Sequence, residues 1–228
     1  MISAVTLDAT GTLFAPRDLA ADYERVLARH GIAVDRAELA RQLPEVWREF
    51  ACAVDPARDR FASHPHGARG FWRDVVERTC ARAGAARPSR FAVAELFERF
   101  AEAGAWRVYD EVPTALAALS GRGLRLAVVS NWDERLPRLL AALGLAPSFE
   151  AVVVSATVGV EKPHPRIFAT AAERLAVAPQ RILHVGDRRL EDVEGARAAG
   201  MRALLLDRAG AGDLADLAEL PGLCATLA

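Results

Sequence analysis

Two acids in this chain stand where a strand-like run gives out. Ala4-Val5-Thr6-Leu7-Asp8-Ala9-Thr10-Gly11-Thr12-Leu13-Phe14 begins as a short apolar run, the pattern of a buried strand, and the run ends on Asp8. Gly11 then permits a sharp backbone turn. Asp187 follows a second such run, Arg181 to Val185, and Gly186; Asp192 comes just after it, near a helix start. In an open parallel sheet, ligands collect at the carboxyl ends of strands. Asp8 is therefore a candidate nucleophile or metal ligand, and Asp187 a candidate metal ligand. The plainer readings are an Asp8 that caps a turn and an Asp192 that caps a helix. Ser130 and Asn131 close a third run, Leu124 to Val129. They offer a hydroxyl and backbone amides to a phosphate oxygen, although a Ser-Asn pair is also ordinary turn chemistry.

Alternating strands and helices must place these residues. After the first strand, the stretch from about Asp18 to Ala105 is helical in pattern, without a strand candidate. Leu19, Tyr23, Val26 and Leu27 mark a first helix ended by Gly31. A second is expected from Arg36 to Val54, closed by Asp55-Pro56, a third around Trp72, Val75, Val76 and Thr79 to near Gly84, and a fourth from Phe91 to Ala103. Core character returns at Val108 to Pro113. Helices are then expected at Pro113–Ser120, Glu134–Leu143, Pro165–Leu175 and Asp192–Ala199, with strands at Leu124–Val129, Phe149–Ser155, Arg181–Val185 and Arg202–Leu206. A short helix with Asp213, Leu214 and Leu217 is expected in the tail. Such alternation implies an α/β domain, a Rossmann-like parallel sheet with helices on both faces. Residues 1-14 and 106-228 form this core, and 15-105 read as an inserted, all-helical cap domain.

Four motifs in order, Asp8-Ala9-Thr10-Gly11-Thr12, Ser130-Asn131, Lys162-Pro163, and Gly186-Asp187 with Asp192, resemble those of the haloacid dehalogenase-like hydrolase superfamily. The resemblance spans most of the chain and places a helical cap after the first motif. It implies a hydrolase in which Asp8 attacks phosphorus to give an aspartyl-phosphate, splitting one displacement into two. A divalent metal would neutralise the meeting anions. Mg²⁺ suits oxygen ligands and keeps several waters; Asp8 and Asp187 would hold it, with the Thr10 carbonyl, and Asp192 through water. By the same resemblance Ser130, Asn131 and Lys162 bind the phosphoryl group, and Lys162 neutralises both it and Asp8. Lys162 is distinguished by its match to the motif alone; on composition it is one more lysine.

Thr10 departs from the pattern, since phosphatases of the family usually carry a second Asp there. A threonine hydroxyl does not titrate near neutral pH, and general acid–base help is worth about 10²–10⁴-fold. The expectation is weak turnover of ordinary phosphate esters and better turnover where the leaving group needs no proton. Thr in this place resembles the phosphorylation motif of P-type ATPases, but the chain lacks the apolar spans of a membrane pump. Two alternatives stand beside a phosphatase of small phosphorylated metabolites. One is a 2-haloacid dehalogenase, whose Asp attacks carbon without a metal and whose motif Asp8-Ala9-x-Gly11-Thr12-Leu13-Phe14 resembles. The other is a catalytically feeble relative that binds phosphate or a protein partner.

Bulk composition narrows the classes further. Lys and Arg number 29 against 30 acids, which gives no electrostatic footprint for nucleic acid or an anionic membrane. Apolar residues make up 52% and charged ones 26%, as in a globular domain with a real core. No apolar stretch approaches the ~20 residues of a membrane helix, and Asp8 interrupts the N-terminal run, so no signal peptide is expected. Cys52, Cys80 and Cys224 lack metal-ligand spacing and read as reduced thiols of a cytoplasmic protein. In the cap, His64-Pro65-His66-Gly67 with Arg69 reads as a solvated loop; a two-histidine metal site lacks a third ligand, and Arg69 or the histidines could reach substrate.

Overall fold

The computed structural model describes residues 1–52 and 57–226, so the expected helix end at Val54 and its Asp55-Pro56 stop lie outside the described residues. The chain forms two compact units, Met1–Ala15 with Val108–Ala228, and Pro16–Arg107. The first strand, β1, spans Ala4–Leu7, and all four residues are buried, as a strand covered on both faces requires. A three-residue strand, β2, follows at Phe14–Pro16.

The second unit is helical: α1 (Leu19–Arg29), α2 (Arg36–Cys52), α3 (Gly67–Arg82) and α4 (Arg90–Arg99). The Asp18 carboxylate accepts the Ala21 amide at 2.8 Å and caps α1. Ala20, Tyr23, Val26 and Leu27 form its buried face. They pack with Leu39 of α2, Val76 and Cys80 of α3, and Ala92 and Leu96 of α4. α3 starts at Gly67, earlier than its apolar spacing alone indicates, because the buried face of Phe71, Val75 and Val76 continues back to Ala68. α4 stops at Arg99 rather than Ala103, and Phe100 caps it. Trp106–Val108 then forms β3, which pairs with β2.

Back in the first unit come α5 (Val112–Gly121), β4 (Arg125–Ser130), α6 (Leu136–Ala142), β5 (Ala151–Val154), the one-turn α7 (Ser155–Val158) and α8 (Pro165–Leu175). They are followed by β6 (Ile182–Gly186), a π-helical turn over Arg189–Glu194, α9 (Gly195–Ala198), β7 (Arg202–Leu205) and α10 (Leu220–Thr226). The π turn begins before Asp192, which thus sits inside it and not at a helix start. Leu214 bridges to Leu206 instead of opening the tail helix.

Five strands form one sheet in the order β5-β4-β1-β6-β7, and every pair is parallel. From β1 the chain steps outward through β4 to β5, then resumes on the other side at β6. That reversal makes the carboxyl end of β1 the switch point at which a doubly wound sheet opens a crevice. One face of the sheet, with Ala127, Val129 and Val153, packs on Ile167, Phe168, Ala171 and Leu175 of α8. Alternation sends Leu126 and Val128 to the opposite face, where they are equally buried. The fold is α/β, as the alternation of elements predicts. Cys80 and Cys224 are free thiols. Among the described residues no helix is long and apolar enough to cross a membrane.

Candidate active site

Three adjacent strands deliver the site. Asp8 follows β1, Ser130 ends β4, Gly186 ends β6 with Asp187 just after it, and Lys162 comes from the segment between α7 and α8. The Asp8 amide donates to the Val185 carbonyl at 3.0 Å, so the acid begins where the ladder with β6 stops. Its Oδ1 accepts the Ser130 hydroxyl at 2.8 Å and the Lys162 ammonium at 2.6 Å. Among the described residues Oδ2 accepts no hydrogen bond, so both protein donors fall on Oδ1.

Lys162 also donates to Asp192 Oδ1 at 2.5 Å. Both partners are almost wholly buried, where an unpaired charge would be costly. Burial pushes the Lys162 ammonium toward losing its proton, but Asp192 and Asp8 outweigh it and hold the proton on. Burial likewise raises the Asp192 carboxyl, and Lys162 and His184 overcome that, keeping it well below the usual carboxylate range. For Asp8 burial prevails over Lys162 and the pKa rises.

Asp192 has two occupations. Its Oδ2 accepts the Arg188 amide at 2.9 Å, which secures the start of the π turn, while Oδ1 serves Lys162 and His184. One oxygen thus braces the turn and the other meets Lys162 and His184. Gly186 makes room for it: a Cβ there would lie 2.2 Å from the Asp192 carboxyl carbon.

Asp187 is the contrast. Its Oδ1 is buried and, among the described residues, has no hydrogen-bond partner. Burial, then the Asp8 and Asp192 charges, push its carboxyl up to about 7. Oxygens of Asp8, Asp187 and Asp192 lie within 4.8 Å of one another. An orphaned carboxylate oxygen among crowded hard donors fits a divalent cation of the Mg²⁺ kind. Gly11 is shaped by the same crowding. It has φ +88°, and a Cβ there would sit 2.4 Å from Asp187 Oδ2.

The Asn131 side chain is engaged with the Lys162 backbone. Its Nδ2 donates to the Lys162 carbonyl at 3.1 Å and its Oδ1 accepts the Lys162 amide at 2.7 Å. The side chain thus brackets the lysine backbone and aims the ammonium. The Thr10 hydroxyl accepts the Trp132 indole N–H at 3.0 Å, and Trp132 meets Phe14 edge to face.

His184 was not singled out by sequence. It faces Thr6 in register across β1 and β6. Asp192 can only accept, so His184 Nε2–H donates to it at 3.1 Å, and Nδ1 accepts the Thr6 hydroxyl at 2.9 Å. Burial lowers its pKa against the pull of Asp192, which favours this neutral form. A polar residue in the apolar run Ile182-Leu183-His184-Val185 was the available signal.

His64 and Arg69 of the second unit are engaged within that unit. His64 Nε2 donates to Asp74 at 3.1 Å and Nδ1 accepts the His66 amide at 3.2 Å, so both ring nitrogens are taken. Arg69 donates to Glu98 at 2.7 Å and lies over the Phe97 ring.

Residues 2–200 match the model of the haloacid dehalogenase-like hydrolases. The chain is 35% identical over 208 residues to human haloacid dehalogenase-like hydrolase domain-containing protein 3, covering 90% of this chain and 82% of that one. It is 33% identical over 216 residues to the glyceraldehyde 3-phosphate phosphatase of Methanopyrus kandleri, covering 91% and 85%. The L-2-haloacid dehalogenase of Xanthobacter autotrophicus superposes with a TM-score of 0.77 at 26% identity, over 100% of both chains.

Proposed function

The chain belongs to the haloacid dehalogenase-like hydrolases, and from that membership we propose a Mg²⁺-dependent phosphatase of small phosphorylated metabolites, with Asp8 as nucleophile and residues 15–105 as its cap domain. The observation that carries this reading is the orphaned Asp187 oxygen beside Asp8 and the Lys162 ammonium, a place for a cation next to a place for an anion. A relative named as a phosphatase supports the substrate class.

In this reading Ser130 and Lys162 hold Asp8 Oδ1 and turn Oδ2 toward phosphorus. Oδ2 forms the new P–O bond, the ester P–O bond breaks, and the leaving oxygen takes the electron pair. Water then attacks phosphorus, the Asp8 oxygen is released, and the water's protons depart on the phosphate. Asp8, Asp187 and the Thr10 carbonyl would hold Mg²⁺, with Asp192 through water; bound there, the ion offsets the charge of the two anions as they meet. Lys162 stays protonated throughout between its two carboxylates. Thr10, its acceptor occupied by Trp132, supplies no titrating group, so esters with leaving groups that depart unprotonated should turn over best.

The likeness to the Xanthobacter enzyme sustains a second reading, in which Asp8 attacks carbon and expels halide. A metal-free dehalogenase gives no task to the Asp187 oxygen. Hydrolysis of p-nitrophenyl phosphate by wild type and Asp8→Asn, with and without Mg²⁺, separates the two. Mg²⁺-dependent release lost in Asp8→Asn is expected. Silence toward this ester with halide release from chloroacetate would replace the phosphatase with the dehalogenase.

A further inference from the structure

We propose that Arg208 is a positioning residue that holds the backbone turn between Asp8 and Phe14 in its working shape. Arg208 lies in the turn after β7, and its contacts converge on the segment that leaves the nucleophile. Nε donates to the Gly11 carbonyl at 3.2 Å and Nη2 to the Thr12 carbonyl at 2.9 Å. These carbonyls point out of the turn, whose own bonds run from Leu13 N and Phe14 N to Ala9 O and from Gly11 N to Phe14 O. The guanidinium is itself fixed from behind. Its carbon lies 3.4 Å from the centre of the Tyr109 ring, and Nη2 is 2.8 Å from Glu111 Oε1, close enough for an ion pair. Tyr109 N in turn donates to the Leu13 carbonyl at 3.2 Å.

One planar fork thus joins the turn to the segment at which the chain re-enters the first unit. The shape being held matters because Gly11 faces the Asp187 carboxylate with no space even for a Cβ. A shift of the turn would move Gly11 against Asp187 and drag Thr10, whose hydroxyl is tied to Trp132. Arginine is suited to this task and lysine is not: two divergent N–H groups and a flat stacking face are needed, not charge alone.

The effect on turnover rests on the phosphatase reading of Asp8; the effect on the turn does not. The experiment pairs hydrogen exchange over residues 9–14, without ligand, with p-nitrophenyl phosphate kinetics in Mg²⁺, for full-length wild type, Arg208→Lys and Arg208→Ala. In both variants exchange at Gly11, Leu13 and Phe14 is expected to rise about tenfold relative to β4, and kcat to fall roughly 10–100-fold with KM within about threefold. Methylguanidine should restore part of the kcat of Arg208→Ala. Unchanged exchange in the turn overturns the proposal, as does an unchanged kcat in an active enzyme whose melting temperature alone has dropped. If wild type releases no phosphate, the phosphatase reading falls and exchange decides the role of Arg208 by itself. If Arg208→Ala does not fold, Arg208→Lys carries both readouts.

Discussion

The two units treat charge in opposite ways. In the first, Asp8, Lys162, Asp192 and His184 form one connected cluster with hardly any access to water. In the second, most ion pairs sit on the surface: Arg78 with Glu49, Arg87 with Glu77, and Arg48 with Glu45 all have at least one well-exposed partner. Exposed pairs contribute little to stability, because water solvates both ions almost as well apart as together. Buried ions must be matched group for group, and apolar residues of the same size would often serve stability better. A buried cluster at the switch point of a parallel sheet is therefore expensive for folding, which supports the proposed catalytic reading of it. In the helical unit most charges lie outward over inward apolar faces, and the buried Asp22, paired with Arg99 at 2.9 Å, is an exception.

That contrast breaks most visibly at Lys162. Lys162→Met removes the cation shared by two buried carboxylates. It should lower kcat about 10²–10³-fold and destabilise the metal-free protein by about 3–5 kcal/mol, as read by denaturant unfolding. An intermediate effect is expected at Asp187, whose carboxyl titrates at about 7 in the folded chain, far above the usual value of about 3.9. Between those values the folded state holds a proton that the unfolded state has released. The contribution to stability is thus full below about pH 4 and is lost as pH rises toward 7. Metal-free wild type should lose stability across this window relative to Asp187→Asn. Mg²⁺ competes with that same proton, so its apparent affinity, measured by calorimetry, should climb with pH up to about 7 and then level. The smallest effect belongs to the second unit. Arg78→Ala breaks a pair on the surface and should move the melting temperature by less than about 2 °C. A loss there as large as at Lys162 would erase the distinction between the units.

Sequence made the sheet readable because its strands are continuous apolar runs ended by Gly, Ser or Asp; α8 spans Pro165–Leu175, as its spacing indicates. It could not show β2 and β3, since three residues are too few to display a period. The early start of α3 was hidden by the His64-Pro65-His66-Gly67 turn signal beside it. At the site, Asp8 and Asp187 were visible from their place after strands, whereas Lys162 was visible only through its motif. What Asn131 does was not legible, because an amide that brackets a distant backbone leaves no local trace. Arg208 is the extreme case. It reaches the Gly11 carbonyl across almost the full length of the chain, and nothing near residue 208 announces it. The two acids after strands are marked by local position, while Lys162, Asn131 and Arg208 are placed by tertiary contacts.

On the proposed reading, Asp8 carries the phosphoryl group. The most direct test is to acid-quench the enzyme during turnover of p-nitrophenyl phosphate with Mg²⁺, reduce with borohydride, and map the chain by mass spectrometry. An acyl phosphate at Asp8 is reduced to homoserine, whereas a free carboxylate is not. Homoserine at position 8, dependent on substrate and Mg²⁺, is the expected result. Robust phosphate release with Asp8 unmodified under the same quench would contradict the account.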